Sequence, residues 1–379
     1  MKQIELGTIL HMEKGKKPKK QSKEMVDGFL PYVDIKAFEK GIVDSYAFPE
    51  KCVLCNEGDL LIVCDGSRSG LTGRAIKGVV GSTLSKISAD GLATEYLRYF
   101  IESKYTLLNT QKKGTGTPHL NTQILKQSKL IVPSLSEQER IVAQINELFS
   151  ELDKAIAILK TIKQQLAVYR QAVLKEAFRD VTVKKTIREL SLFVTSGSRG
   201  WAKYYADTGA RFIRISDLTR DSIALKNDSI QYVDLPNIAE GKRSRLIQGD
   251  VLVSITADLG SIALIPPDIG EAYVNQHIAM IRFKNAIQSE YMAWYLKSDY
   301  GQKDLLKNKR GGGKLGLGLD DIRDTYVPLI PDYVALKTVR KIEYQLGYCN
   351  QIEKAVDTAL HQAKAIRQGI LKKAFEGRL

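Results

Sequence analysis

Histidine and cysteine are scarce in this 379-residue chain, with four of each. His11, His119, His277 and His361 stand at no metal-ligand spacing. Cys52-x-x-Cys55 opens a zinc reading, but no second pair at ligand spacing follows it. Cys52, Cys55 and Cys64 fall in strand-like stretches, so buried free thiols in a reducing compartment are the expectation. There is no G-x-x-x-x-G-K-[ST] phosphate loop and no G-x-G-x-x-G after a strand. An Asn-Pro-Pro-aromatic tetrapeptide of the amino-methyltransferase type is also missing, Ile265-Pro-Pro-Asp268 being a poor imitation. No apolar run approaches the roughly 18–20 residues of a membrane span, and Met1 to Lys17 has no signal-peptide apolar core. These absences argue against a nucleotide-hydrolysing, dinucleotide-binding or membrane-spanning protein, and the cytoplasm is the expected location.

What is present is charge of one sign. Lys and Arg outnumber Asp and Glu by 57 to 43, for a net +14. Residues 1–133 carry net +6, 134–180 none, 181–331 net +4 and 332–379 net +4. A polyanionic partner fits this excess, because each cation placed on a phosphate releases condensed counterions.

The chain also repeats itself, with a period of about 195 residues. Glu95-Tyr-Leu-Arg-Tyr-Phe-Ile-Glu-Ser-Lys-Tyr105 returns as Glu290-Tyr-Met-Ala-Trp-Tyr-Leu-Lys-Ser-Asp-Tyr300. Glu57-Gly-Asp-Leu-Leu-Ile62 returns as Gln248-Gly-Asp-Val-Leu-Val253, and Gln171-Ala-Val-Leu-Lys-Glu-Ala-Phe178 as Gln368-Gly-Ile-Leu-Lys-Lys-Ala-Phe375. Cys52, Cys55 and Cys64 fall opposite Arg243, Leu246 and Ile255, so the copies share no metal site.

Each copy has two parts. The first holds short apolar runs broken by Gly, Asn, Asp and Pro, such as Phe212–Ile215, Asp250–Ile255 and Ala279–Phe283, which read as strands. One helix per copy is expected, over 94–108 and 289–306. The second part is a long amphipathic helix. Ser136-Glu-Gln-Glu139 reads as a capping box. Apolar residues then recur at Ile145, Leu148, Leu152, Ala155, Leu159, Ile162, Leu166, Tyr169 and Val173, a heptad seam on a helix roughly 65 Å long. The second helix opens after Pro331-Asp332 and ends at Phe375, with Gly377 as its stop. Its seam runs Val339, Ile342, Leu346, Cys349, Ile352, Val356, Ala359, Ala363, Ile366 and Ile370, with a stammer expected at Cys349–Ile352. A helix with one apolar stripe must bury it, so the two are expected to pair with each other. The fold class is therefore α+β: two strand-rich mixed α/β recognition domains (1–133 and 181–331), each followed by a long helix (134–180 and 332–379), the helices pairing as an antiparallel coiled coil.

Candidate DNA contacts lie in two loops per copy. Lys14, Lys16, Lys17, Lys19 and Lys20 surround Gly15 and Pro18. The second copy offers Ser198, Arg199, Trp201, Lys203 and Tyr204 there, basic groups beside aromatics. The other loops hold Lys112, Lys113, Thr115, Thr117, His119 and Asn121 in the first copy, and Lys307, Lys309, Arg310 and Lys314 around three glycines in the second. His277, beside Asn275 and Gln276, suits base-edge reading and a structural role equally.

The passage Thr117-Pro-His-Leu-Asn121 to Val132-Pro-Ser-Leu-Ser-Glu-Gln-Glu-Arg-Ile141 resembles the specificity subunits of Type I restriction–modification enzymes. So do Arg170-Gln-Ala-Val-Leu-Lys-Glu-Ala-Phe178 and the ending Phe375-Glu-Gly-Arg-Leu379. The resemblance covers the chain, although Pro331-Asp-Tyr-Val replaces the Glu-Gln motif in the second copy. It implies two target-recognition domains, each reading half of an asymmetric bipartite site on double-stranded DNA. It further implies helices that dock modification subunits and, through them, restriction subunits. S-adenosylmethionine, ATP and Mg would belong to those partners, with no cofactor, metal or catalytic residue in this chain. The competing readings are a nuclease or methyltransferase with a cryptic site, and a coiled-coil adaptor without DNA function.

Overall fold

In the computed structural model the described residues are 3–379, without Thr115, Thr117, Ser198, Asn237, Ile238, Asn308 and 310–315 and without the side chains of Ala239 and Glu240. Two units emerge: residues 1–160 with 357–379, and residues 161–356. Both long helices run unbroken from one unit's residues into the other's, over Leu135–Phe178 and Asp332–Phe375. No helix among the described residues is long and apolar enough to cross a membrane.

The first unit's strands form three sheets. Leu10–Lys14, Leu84–Ala89, Leu60–Val63 and Thr72–Arg74 make an antiparallel sheet in that order. Gln21–Ser22, Tyr46–Ala47, Leu30–Val33, Gly78–Val80 and Leu54–Cys55 make a second, with one parallel step between Leu30–Val33 and Gly78–Val80. Gln3–Glu5 pairs with Lys129–Ile131. The second unit repeats the plan. Ser191–Ser196, Ile278–Phe283, Val251–Ser254 and Ile262–Leu264 form the antiparallel sheet. Tyr205–Ala206, Tyr232–Val233, Ala210–Ile213 and Ala272–Val274 form the mixed one, again with one parallel step. Lys184–Thr186 pairs with Tyr326–Pro328. The strands Leu60–Val63 and Val251–Ser254 are buried on every residue, which is why their sequences are continuous apolar runs rather than alternating ones.

Each expected domain helix is two short ones. Thr94–Ser103 gives way to Tyr105–Thr110, and Ser289–Lys297 to Asp299–Leu305, where the Ser298 side chain accepts from the Gly301 N–H and starts the new helix. At the head of the first long helix the cap is Ser134, not Ser136: its hydroxyl accepts from the Glu137 N–H at 3.4 Å. Gln138 is fully buried, accepts from the Ala93 N–H at 2.8 Å and donates to the Gly91 and Pro133 carbonyls, tying the helix to its domain. In the second copy Asp332 does this, accepting from Asn285 and Gln288 at 2.7 Å each. Gly377, at φ +70°, closes the second long helix with the Arg378 N–H returning to the Lys373 carbonyl.

The seams hold corrections. A stripe of buried or half-buried positions with steps alternating between four and three runs along the second helix through Ala335, Val339, Ile342, Leu346, Cys349, Glu353, Val356, Leu360, Ala363, Arg367, Ile370 and Ala374, with others such as half-buried Ala359 and buried Leu371 beside it. There is no stammer, since Ile352 and Ile366 lie outside the seam, 45% and 52% exposed, and charged residues take their places. In the second unit Arg170 of the first helix donates to Asn350 and Glu353, each at 2.7 Å. In the first unit Arg367 donates to Asp153 at 3.0 Å and lies 3.8 Å over the Phe149 ring. Arg170 and Arg367 are equivalent in the repeat, as are Asn350 and Asp153. On the first helix Phe149, Ile156 and Arg170 face inward, while Leu148, Ala155 and Tyr169 do not. In each unit the two helical segments run antiparallel.

The helix ends reach cores that lie far away in sequence. Phe178 is 1% exposed and meets Tyr291 and Tyr295 edge-on at 5.2 and 5.4 Å. Phe375 meets Tyr96 and Phe100, their counterparts, at 5.1 and 5.4 Å. Each unit's core is thus closed by the helix that follows the other copy's domain.

One repeated residue has opposite chemistry in the two copies. Burial would raise the pKa of Glu95, but Arg98 and Arg74 outweigh it and hold the carboxyl below its usual range. Its counterpart Glu290 is pushed up to about 7 by burial first and by neighbouring Glu343 second, on the wall of a cleft of about 590 Å³.

Two outcomes follow from this packing. Phe178→Ala lowers stability by about 3–5 kcal/mol in urea unfolding, the usual cost of emptying an aromatic site. Because the folded protein holds the Glu290 proton more tightly than the unfolded chain, whose value is near 4.5, its contribution is complete below that pH. It is lost as pH rises through about 7. In thermal melts, Glu290→Gln therefore gains more over the wild type at pH 8 than at pH 5.

Candidate nucleic-acid interface

Both copies launch their first basic loop from a glycine that nothing larger can replace. A Cβ on Gly15 would lie 2.4 Å from the Val80 carbonyl oxygen, and one on Gly197 would lie 1.7 Å from that of Val274. Val80 and Val274 end equivalent strands. From that crossing Lys16, Lys17, Lys19 and Lys20 emerge exposed, Lys20 lying 5.6 Å from the Phe48 ring centre. In the second copy Arg199 and Lys203 are exposed, with the Lys203 ammonium 4.8 Å from the half-buried Tyr204 ring. Ser198 lies outside the described residues.

Trp201 is a correction. It was expected as a surface aromatic for groove packing, but it is 3% exposed, stacked on Phe212 at 5.5 Å and set edge-on against Tyr273 at 5.6 Å. A large indole in a short aromatic-flanked loop buries more favourably than it projects. Tyr205, four residues on, is 44% exposed and supplies the surface ring instead.

The second loop of the first copy is tied to the first loop by a residue without a sequence signal, Asp65. Its carboxylate meets Lys14 at 2.9 Å and the Nδ1 of His119 at 2.7 Å. Burial would raise the Asp65 pKa, yet the His119 hydrogen bond and the Lys14 ion pair outweigh it and hold the group ionised. Lys113 and His119 exchange backbone hydrogen bonds at 2.9 and 2.8 Å, closing the loop into a hairpin-like clasp. Lys112 donates to the Ser67 carbonyl at 3.0 Å. Asn121 is half-buried, with its Oδ1 unpartnered among the described atoms. Thr115 and Thr117 lie outside the described residues. Lys14, Cys64, Asp65, Ser85, His119 and Lys126 line a cavity of about 390 Å³ between the two loops.

In the second copy Thr256 stands where Asp65 does, bridging to Gly316 as Asp65 bridges to His119. Its hydroxyl is 2.8 Å from Nδ1 of His277, whose Nε2 is 2.8 Å from Gln276. Lys307 and Lys309 are exposed; Arg310 and Lys314 lie outside the described residues. Cys64 borders the cavity between the first copy's loops, whereas Cys55 donates to the Ile76 carbonyl at 3.2 Å and Cys349 is in the helix seam. Among the described residues no group of three or more His, Cys, Asp or Glu could hold a metal ion.

The sequence model of the Type I restriction modification DNA specificity domain matches residues 1–168 and again 202–361. The chain belongs to that family. The specificity subunit of the Type I restriction enzyme MjaVIII from Methanocaldococcus jannaschii is 26% identical over 329 residues, covering 80% of this chain and 76% of that protein. The EcoBI specificity subunit from Escherichia coli is 24% identical over 387 residues, 92% of this chain and 80% of that one. A solved structure described as the basis of complex assembly and conformational transition of the type I R-M system matches at TM-score 0.76 and 18% identity. It covers 100% of this chain and 98% of its own, a likeness of fold. The two family matches fall on the two copies of the repeat, the first including Gly15 and the second beginning five residues after Gly197.

If that crossing fixes the loop, Gly197→Ala lowers the melting temperature more than Gly200→Ala. The first meets backbone within 2 Å, whereas nothing lies within 4 Å of a Cβ at the second, where only positive φ opposes the change.

Proposed function

We propose that this chain is the DNA sequence-specificity subunit of a Type I restriction–modification system. Its two recognition domains each read one half of an asymmetric bipartite site on double-stranded DNA. The observation that carries this reading is the pairing of a shared loop root with unlike loops: Gly15 and Gly197 cross equivalent strand ends. The cations set beyond them differ in number and aromatic company. A shared backbone places the loops, and different side chains give each half its own sequence. Domain boundaries at 133, 180 and 331 follow from the same reading.

The long helices are the docking elements for modification subunits and, through them, restriction subunits. Support comes from the exposed face of the second helix, where Tyr344 and Tyr348 stack edge-on at 4.8 Å beside exposed Ile352. Such a run of exposed large side chains suits a protein partner. S-adenosylmethionine, ATP and Mg act in those partners, and this chain does no chemistry itself.

Replacing Lys16, Lys17, Lys19 and Lys20 by alanine together weakens DNA binding and flattens the salt dependence, by about 0.9 in slope for each phosphate no longer neutralised. Titrations at several salt concentrations check this; an unchanged slope favours the adaptor without DNA function. Methyl transfer by the purified chain without a modification subunit would instead establish a cryptic enzyme.

A further inference from the structure

The repeat supplies an internal control for one site in the second unit. In the first copy Glu95 is neutralised from within the chain: Arg74 meets its carboxylate at 2.9 Å and Arg98 at 2.8 Å. Beside it the Tyr99 hydroxyl donates to Asn146 on the first long helix. The second copy keeps the glutamate and loses what neutralises it. Glu95 returns as Glu290, Arg98 as Ala293 and Tyr99 as Trp294. Arg74 pairs across its sheet with Leu60, as Leu264 does with Val251, so Leu264 takes the place of the other arginine. The helix offset that matches Arg170 to Arg367 matches Asn146 to Glu343. A second carboxyl therefore stands where the first copy has a neutral amide.

Leu264, Glu290, Trp294 and Glu343 line the cleft of about 590 Å³, with Asp268 also on its wall. Ile223, Leu225, Pro266 and Ile269 make much of the rest apolar. Among the described lining residues the one cation is Arg211, already engaged by the Lys226 carbonyl and Asn227 Oδ1 at 2.9 Å each. Glu290 hydrogen-bonds Glu343 instead of a cation. Trp294 is 6% exposed, and its N–H has no bonded acceptor among the described atoms. Of the neighbours acting on Glu290, that N–H is the one that favours the ionised carboxylate. A cation placed between the two acids would ionise Glu290 and leave the buried N–H facing a charged acceptor.

A guanidinium fits this demand. Its planar fork carries five donors, enough to serve two carboxylates, and it is the group the first copy uses. Like charge keeps DNA phosphate out of the cleft, whereas apolar walls suit the side chains that flank an arginine on a protein surface. Glu343 directly precedes Tyr344 on the exposed helix face assigned above to the modification subunits. We propose that an arginine side chain of the modification subunit enters this cleft and sits between Glu290 and Glu343. This rests on the docking role proposed above.

The test is assembly of the full chain with its modification subunit, measured by titration for wild type, Glu290→Gln, Glu343→Gln and Leu264→Arg, with thermal melts to confirm folding. Each glutamine weakens assembly by at least about tenfold, the scale for truncating one partner of a desolvated charge pair. Leu264→Arg supplies from within what Arg74 supplies in the first copy, so it raises the melting temperature of the chain alone and weakens assembly likewise. In the wild-type complex one arginine of the modification subunit resists phenylglyoxal, and it reacts in complexes of the glutamine variants, as read by mass spectrometry. Three results overturn the proposal: unchanged affinity in either folded glutamine variant, no arginine whose protection depends on the two acids, or a stabilised Leu264→Arg chain that assembles as well as wild type. Tyr344→Ala separates this from the docking role, since it alters the exposed face and leaves the cleft intact. If it weakens assembly while the glutamines do not, the docking role stands and the arginine falls. A wild type that forms no complex removes the docking role itself, and the arginine with it.

Discussion

A helix of 44 residues with one apolar stripe has no stable existence alone in water, and everything else in this molecule is arranged around burying two of them. Each unit achieves this by reciprocity. The first unit's core takes Leu371 and Ala374 from the far end of the chain, and the second takes Val173, Leu174 and Phe178 from the helix that leaves the first domain. Neither copy of the repeat completes its own core. The apolar surface one copy needs covered is supplied by the other.

The polar residues inside the seam qualify this picture. Arg170 with Glu353, and Arg367 on the other unit's stripe, occupy helix positions that a purely apolar stripe would fill, while Asp153, which pairs with Arg367, stays at the exposed edge. Half-buried ion pairs of this kind add little net stability, since desolvation offsets most of the attraction. Their better-attested use is register: a slip by one heptad would bury each guanidinium without its carboxylate, and the penalty falls on the wrong alignment.

Equivalent backbone positions carry unlike chemistry elsewhere too. Glu95 is held ionised between two arginines, while Glu290 faces Glu343. Asp65 gathers Lys14 and His119, while Thr256 turns to His277. The strand pairings that place these groups are the same in both copies. A scaffold that preserves backbone while freeing the side chains at its loop roots can change what each half touches without changing how it folds.

The repeat, the strand-rich domains and the antiparallel long helices were all legible in the sequence. Periodicity is a property of neighbouring residues, and a stripe of period 3.5 has few ways to be buried. The inward faces were less legible. Counting apolar residues put Leu148, Tyr169 and Ile352 in the seam, whereas Phe149, Arg170 and Glu353 occupy it, because a charged residue becomes tolerable there only when its partner lies opposite on a helix some 180 residues away. The basic loops could be found from Lys and Gly, but Asp65, which joins two of them, had no local mark. Trp201 read as a surface aromatic until Phe212 and Tyr273 closed over it. Local pattern determined the elements and their order. Which polar groups meet was decided only when distant segments came together, since a hydrogen bond depends on a partner that its own neighbourhood does not encode.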